Sequence, residues 1–88
     1  MKLGIKVAIR EISGSYYAVA VGRDSERFNG MIKVNKTGRD MIELLEDDIS
    51  KEEIVEKMLE KYDATREDIE VSLDKLVSVL DNYGILEK

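Results

Sequence analysis

Carboxylates are the most abundant reactive side chains in this sequence, which has 19 Asp and Glu residues but no His and no Cys. The chain therefore lacks the commonest general base and the imidazole and thiolate ligands of most transition-metal sites. The carboxylates are densest in Glu46-Asp47-Asp48 and Glu52-Glu53. We assign these runs to a helix end and a helix first turn, where acidic residues commonly face solvent and the helix dipole. Neither run has the spacing of a calcium loop. The sequence predicts no catalytic residue, metal site or cofactor, and a protein that is not an enzyme.

Phosphate and base binding have little support in the residues that usually provide them. Gly30 and Gly38 are isolated, whereas a phosphate loop needs several closely spaced glycines before a helix. Aromatic side chains on strands and at helix ends more often pack in a core or at its rim than stack on bases. The aromatic residues are Tyr16, Tyr17, Phe28, Tyr62 and Tyr83.

The first third of the chain alternates apolar and polar residues with a period of two, as strands with one buried face do. Ile5, Val7 and Ile9 share one face of a first predicted strand. A short Ser-Gly-Ser turn precedes a second strand rich in aromatic and β-branched residues, and a longer polar connection leads to a third. The sequence predicts an antiparallel meander. Its strands span about 5–12, 16–22 and 28–34.

After the third strand the apolar residues recur with the helical period of 3.6. Each of three such stretches follows a residue that can cap a helix N-terminus, and Gly84 suits the left-handed position after the last one. The predicted caps are Asn35, Ser50 and Thr65. The predicted helices span about 36–47, 51–62 and 66–82.

On a wheel of the third helix, Leu73, Leu76 and Leu80 gather around Ile69 and form the predicted buried stripe. Val77 and Val79 flank this stripe on opposite sides, so either could face the core or an adjacent groove.

The element order predicts one α+β domain over residues 1–88, in which a three-stranded antiparallel meander precedes three helices in a winged-helix-like arrangement. A winged helix places its third helix in the major groove of DNA, but residues 65–82 hold five acidic and two basic side chains, which would repel phosphates. The third strand lies at an edge of the meander and has one unpaired side that can accept another strand. A nucleic-acid-binding winged helix and a domain that forms a homodimer through this edge are kept as alternatives, and no nucleic-acid partner is expected.

The segment 29–45, NGMIKVNKTGRDMIELL, resembles the core of the PqqD family. That family shows an aliphatic residue, then Asn-x-Thr-Gly/Ala, and then an aliphatic helix ending in Leu-Leu. Residues 50–62 are similar to its Thr-x-Glu-Glu helix, which ends near a Tyr, and residues 71–86 to its ending, in which Gly precedes two hydrophobic residues. The resemblance covers about 16–88.

PqqD-like domains are peptide-recognition elements of pathways that modify ribosomally made peptides, such as PQQ biosynthesis. The resemblance implies a winged-helix-like chaperone that binds the leader of a precursor peptide by strand addition and presents the peptide to a modifying enzyme, here of the radical-SAM type. By position, it implies that the peptide lies between the third strand and the third helix. The implied peptide-binding residues are Phe28, Asn29, Gly30, Met31, Ile32, Lys33, Val34, Ser72, Lys75, Leu76 and Val79. The third helix is acidic here while the strand segment carries Arg27 and Lys33, so the family does not give the charge preference of the leader.

The cellular location is inferred from the absence of long apolar runs. No run approaches the ~18–20 residues of a membrane-spanning helix, and residues 1–4 lead directly into the alternating pattern without the apolar region of a signal peptide. The sequence predicts a soluble, cytoplasmic protein with no membrane partner.

Overall fold

The computed structural model describes residues 1–26 and 30–87, and only the backbone of Asp24 and Ser25. Three antiparallel strands are followed by three helices, which confirms the predicted α+β class. The strands are β1 Lys2–Leu3, β2 Val7–Ile12, β3 Ser15–Ala20, β4 Met31–Val34 and β5 Leu86–Glu87. The helices are α1 Lys36–Leu44, α2 Lys51–Lys61 and α3 Arg66–Asn82.

The main sheet has the strand order β2-β3-β4 and buries one face against the helices. Ser13 and Gly14 form the two-residue turn between β2 and β3, and both have positive φ angles, of 52° and 81°. Such turns match the twist of the strands they join. One row across the sheet contains Ile9, Ala18 and Ile32, of which Ala18 and Ile32 are buried. This row is the contact between the sheet and the helical layer.

The three helices begin at the predicted capping residues. The Asn35 side chain accepts a hydrogen bond from the Gly38 amide at 2.7 Å. Ser50 forms a complete capping box with Glu53, and Thr65 caps α3. These contacts satisfy amide groups that have no partner within a helix. The predicted caps are therefore confirmed.

The core is closed by the buried stripe of α3. Its four predicted positions, Ile69, Leu73, Leu76 and Leu80, are all at most 8% exposed. They pack with apolar residues of α1, of α2 and of the segment between them, among which Met41, Leu45 and Ile54 are fully buried. The predicted stripe is confirmed.

Several elements differ from the prediction in length or kind. Helix α1 ends at Leu44 rather than near 47, because the Glu46 N–H bonds to the Glu43 carbonyl, three residues back, at 3.3 Å, where a continuing helix would bond four residues back. The polar connection after β3 contains a 3-10 helix, Gly22–Glu26. Strand β2 begins at Val7 rather than Ile5, and β4 begins at Met31, with Phe28 and Asn29 outside the described residues.

A second, two-stranded sheet joins β1 to β5, and the periodicity of the sequence does not predict it. Leu3 pairs with Leu86, and the Leu3 amide also donates to the Leu45 carbonyl at 2.8 Å. Gly4 donates to Ile85 at 2.8 Å. Leu3 of this sheet and Ile85, just before β5, cover the end of the core with their buried side chains. Within the described ranges no helix is long and apolar enough to cross a membrane.

Candidate functional site

A groove with a volume of about 280 Å³ lies between strand β4 and helix α3. Its apolar floor includes Ile32, Met41 and Leu76, each of which also belongs to the core. The described residues that line it are Ile32, Lys33, Val34, Asn35, Gly38, Met41, Ser72, Lys75, Leu76 and Val79. The groove is thus formed by the edge of β4, the start of α1 and helix α3, which is distant in the sequence.

The direction of the backbone groups of β4 follows from the β2–β3 hairpin. Ile12 and Ser15 flank its two-residue turn, so this pair exchanges hydrogen bonds, and every second pair along the ladder does the same. The Val21 amide also donates to the Lys6 carbonyl at 3.0 Å, as expected if every second pair along this ladder is hydrogen-bonded. The intervening residues of β3 therefore point their N–H and C=O groups toward β4.

Within the described part of the chain, the outer edge of β4 presents backbone groups without a strand partner at two positions. Ala18 of β3 lies opposite Ile32, so Ile32 bonds inward to the sheet. The alternation then directs the N–H and C=O groups of Met31 and Lys33 away from β3, beside the groove. Within the described chain, β4 pairs only with β3. This edge can accept one more strand.

The side chains of α3 divide between the core and the groove. Leu76 is 8% exposed and contributes to both, since it packs in the core and also lines the groove. Val79 is 37% exposed and lines the groove with Ser72 and Lys75, whereas Val77 packs against the core. The structure therefore distinguishes Val77 from Val79, for which the helical wheel leaves both orientations open.

The predicted binding residues do not all line this groove. Met31 is 57% exposed on the outer face of the sheet, so its backbone rather than its side chain borders the groove edge. Gly30 is exposed and is not part of the lining, and Phe28 and Asn29 lie outside the described residues. The other predicted positions are brought together. They are Ile32, Lys33, Val34, Ser72, Lys75, Leu76 and Val79.

Three further residues line the groove although the sequence analysis did not include them: Asn35, Gly38 and Met41. A Cβ atom on Gly38 would lie 3.2 Å from Asn35 Oδ1 and 3.3 Å from Val34 Cβ. Glycine therefore lets α1 start close against the end of β4. The Asn-x-Thr-Gly pattern carried this information, but its Asn was interpreted only as a helix cap.

A second polar site, the Asp40 cluster, consists of Asp40, Tyr62, Arg39 and Lys61. Asp40 is 2% exposed, and the Tyr62 hydroxyl donates to its Oδ2. Arg39 donates to Oδ1 from Nη2 at 2.9 Å and from Nε at 3.1 Å, and Lys61 Nζ lies 3.6 Å from the same oxygen. The Arg39 guanidinium also lies 4.8 Å from the centre of the Tyr16 ring. The cluster links α1, the end of α2 and β3.

The neighbours of Asp40 stabilise its ionised, carboxylate form. Burial alone raises the pKa of Asp40, but hydrogen bonds from Tyr62 and Arg39, with the charges of Arg39 and Lys61, hold this pKa below its ordinary value. The hydrogen bond to Asp40 raises the pKa of Tyr62 to about 12. Both carboxylate oxygens are occupied, so we assign the cluster a structural role. Among the residues that the structure describes, no group of three or more possible protein ligands could hold a metal ion.

Comparison with known proteins is consistent with this arrangement. The family model described as coenzyme PQQ synthesis protein D (PqqD) matches residues 13–86. No curated protein matches the sequence significantly. A solved structure titled TbiB1 in complex with the TbiA(beta) leader peptide has a TM-score of 0.72 at 23% identity, over 99% of this chain and 95% of the other. The two proteins share a fold.

Proposed function

Because this chain belongs to the PqqD family, we propose that it is a peptide-recognition domain that binds the leader of a ribosomally made precursor peptide. The observation that carries the proposal is the open edge of β4 beside the α3 groove. Support also comes from TbiB1, which has the same fold and whose structure holds a leader peptide. The chain would act as a chaperone and not as a catalyst.

The binding mode would be addition of the leader as a fourth strand beside β4. The N–H and C=O groups of Met31 and Lys33 would supply hydrogen bonds that do not depend on peptide sequence. Alternate side chains of the added strand would face α3, where Leu76 and Val79 offer an apolar wall. Backbone pairing would thus give affinity, and the wall would give selectivity.

The bound leader would position the rest of the precursor for a separate modifying enzyme. We infer a radical-SAM enzyme as this partner, since members of the family work beside such enzymes and this chain has no Cys to bind an iron–sulfur cluster of its own. Co-purification of the chain with the enzyme encoded beside it, with and without the precursor, tests this part of the proposal separately.

Titration of the isotope-labelled protein with the leader encoded in the same gene cluster tests strand addition directly. We expect the largest amide shifts at Met31, Lys33 and the groove side of α3. Shifts confined to β2 and α2, with β4 unaffected, would refute this binding mode.

The variant Met31→Pro removes one outward N–H at the first residue of β4, a position where a strand tolerates proline. Loss of one ladder hydrogen bond costs about 0.5–1.5 kcal/mol, so binding should weaken about twofold to twelvefold. Met31→Ala is the matched control, because it removes the side chain and keeps the amide. Circular dichroism checks that both variants fold. Equal affinity of the two variants would contradict the assigned role of this amide.

A further inference from the structure

Among the described residues that line the groove, the charged ones are lysines. Lys75 lines the groove from α3, and Lys33 borders it from the edge of β4, with its side chain on the outer face of the sheet like that of Met31. Lys33 and Lys36 line an adjoining hollow of about 440 Å³ that extends past the end of β4 to the β2–β3 turn. All three side chains are exposed, and none takes part in an ion pair with another described residue. No Asp or Glu is among the described residues that line either cavity.

Most acidic side chains of α3 lie on other sides of the helix. At about 100° per residue, Glu70, Asp74 and Asp81 lie about 100–140° from Ile69, whereas the groove-lining Ser72, Lys75 and Val79 lie at about 240–300°. Asp68 shares the groove side but belongs to the first turn, one turn before Ser72, and does not line the groove.

Two of these acidic residues already have cationic partners. Asp74 accepts a hydrogen bond from Lys51 of α2 at 2.6 Å, a contact that raises the pKa of Lys51. Glu70 lies 3.8 Å from Arg66, which also contacts Glu52 at 3.1 Å. Asp74 and Glu70 are therefore directed away from the groove, toward Lys51 and Arg66.

The outer face of the sheet adds a cationic row at the same position of β4. Arg10, Tyr17 and Lys33 lie side by side across the three strands. A residue of an added strand opposite Lys33 would extend this row, and its neighbour in the strand would face α3 near Lys75 and Val79. Both faces of the added strand would thus meet a lysine, although the chain as a whole has a net charge of −5.

From this segregation of charge we propose that the groove selects acidic peptide segments. One peptide carboxylate lies against Lys33 on the outer face of the sheet and another against Lys75 on the α3 side, where an apolar side chain of the peptide packs on Leu76 and Val79. The inference rests on the proposed strand addition and specifies the chemical class of the peptide, which the family resemblance leaves open.

Selection from a displayed library of random 12-residue peptides on the immobilised full chain tests this preference without a known ligand. We expect enrichment of Asp and Glu next to apolar residues. The tightest selected peptide is then compared with a version in which every Asp is Asn and every Glu is Gln. Because the amide version loses two exposed ion pairs, we expect it to bind about fivefold more weakly at low salt. This difference in affinity should shrink as salt is raised.

Charge reversal on the protein assigns the effect to the groove. Lys75→Glu and Lys33→Glu should weaken binding of the acidic peptide and leave the amide version nearly unaffected. Lys57→Glu, on the exposed face of α2, makes the same change in net charge and should alter neither affinity. Lys75→Gln and Lys33→Gln, with circular dichroism, separate loss of charge from loss of folding.

The outcomes distinguish the inference from the proposed function. An amide version that binds as tightly as the acidic peptide, or enrichment of basic peptides, overturns the acidic preference. If such peptides still shift the Met31 and Lys33 amides, strand addition stands. If no selected peptide shifts these amides, both proposals fail. If Lys57→Glu weakens peptide binding as much as Lys75→Glu does, the assignment to the groove is overturned. If sedimentation shows that the protein self-associates through β4 and that this association excludes peptides, the choice of an acidic peptide as the occupant is overturned.

Discussion

Replacing Tyr62 by Phe should destabilise the fold through a single lost hydrogen bond. The Tyr62 hydroxyl donates to Oδ2 of Asp40, whose side chain is 2% exposed. In the variant, Arg39 and Lys61 still contact Oδ1, but Oδ2 loses its donor. The aromatic ring stays, so the change is confined to one polar contact.

The size of the effect follows from the burial and charge of the acceptor. A hydrogen bond to a charged group contributes about 1.5–3 kcal/mol, and a buried acceptor left without its donor costs a similar amount. We expect a loss of about 2 kcal/mol in the free energy of unfolding at pH 7. For a domain of this size, that corresponds to a fall in Tm of about 10 °C.

The pH dependence gives a second signature of the same bond. The pKa of Tyr62 is raised from an ordinary value of 10.0 to about 12, so the stability it contributes is complete below pH 10 and is lost as pH rises through about 12. The pKa of Asp40 is lowered, so its contribution is present above its ordinary value of 3.8 and is lost as pH falls through the lower folded value. Tyr62→Phe removes the alkaline loss.

Urea unfolding at pH 7 and thermal melts between pH 8 and 11.5, followed by circular dichroism, measure both effects. Tyr17→Phe is the matched control, because Tyr17 is half-buried and its hydroxyl takes part in no hydrogen bond with another described residue. A Tyr62→Phe variant within ~0.5 kcal/mol of the parent protein, or with an unchanged alkaline decline, would refute the role assigned to this hydroxyl.

Two further predictions concern the core and a rival function. Leu80→Ala should lower the free energy of unfolding by about 2–5 kcal/mol. Leu76→Ala should lower it by less, because Leu76 borders the groove and is 8% exposed, while Leu80 is 1% exposed. Equal urea midpoints for both variants and the parent protein would contradict this placement. Duplex DNA should bind weakly or not at all at physiological salt, because the net charge is −5 and the groove carries few lysines. Salt-sensitive, sub-micromolar binding in fluorescence anisotropy would favour the winged-helix alternative.

The sequence predicted the elements whose signals are local. Period-two alternation and three capping residues are local signals, and so the three long strands, the three helices and the buried stripe of α3 could be predicted. Strands β1 and β5 have two residues each, too few for any periodicity, and depend on contact between Leu3 and Leu86 at opposite ends of the chain.

The groove and the Asp40 cluster could not be predicted from local patterns either, because both depend on contacts between residues far apart in the sequence. A helical wheel gave the position of Val79 relative to the stripe but could not show which flank faces β4, because that depends on how α3 crosses the sheet. The burial of Asp40 could not be predicted, since its partner Tyr62 is 22 residues away. No spacing rule connects a carboxylate in one helix to a hydroxyl at the end of the next.

An edge strand that can accept a peptide can also pair with the same strand of a second copy of the protein. Two copies of the protein could pair along β4, since Met31 and Lys33 present the same unpaired groups in each copy. With only four residues in the strand, such pairing would bring two Lys33 ammonium groups into the same short ladder, and like charges at close range oppose it. An acidic strand is attracted by the same side chain. One lysine in the middle of an exposed edge can therefore act as a gatekeeper that discourages aggregation while leaving the edge open to its ligand.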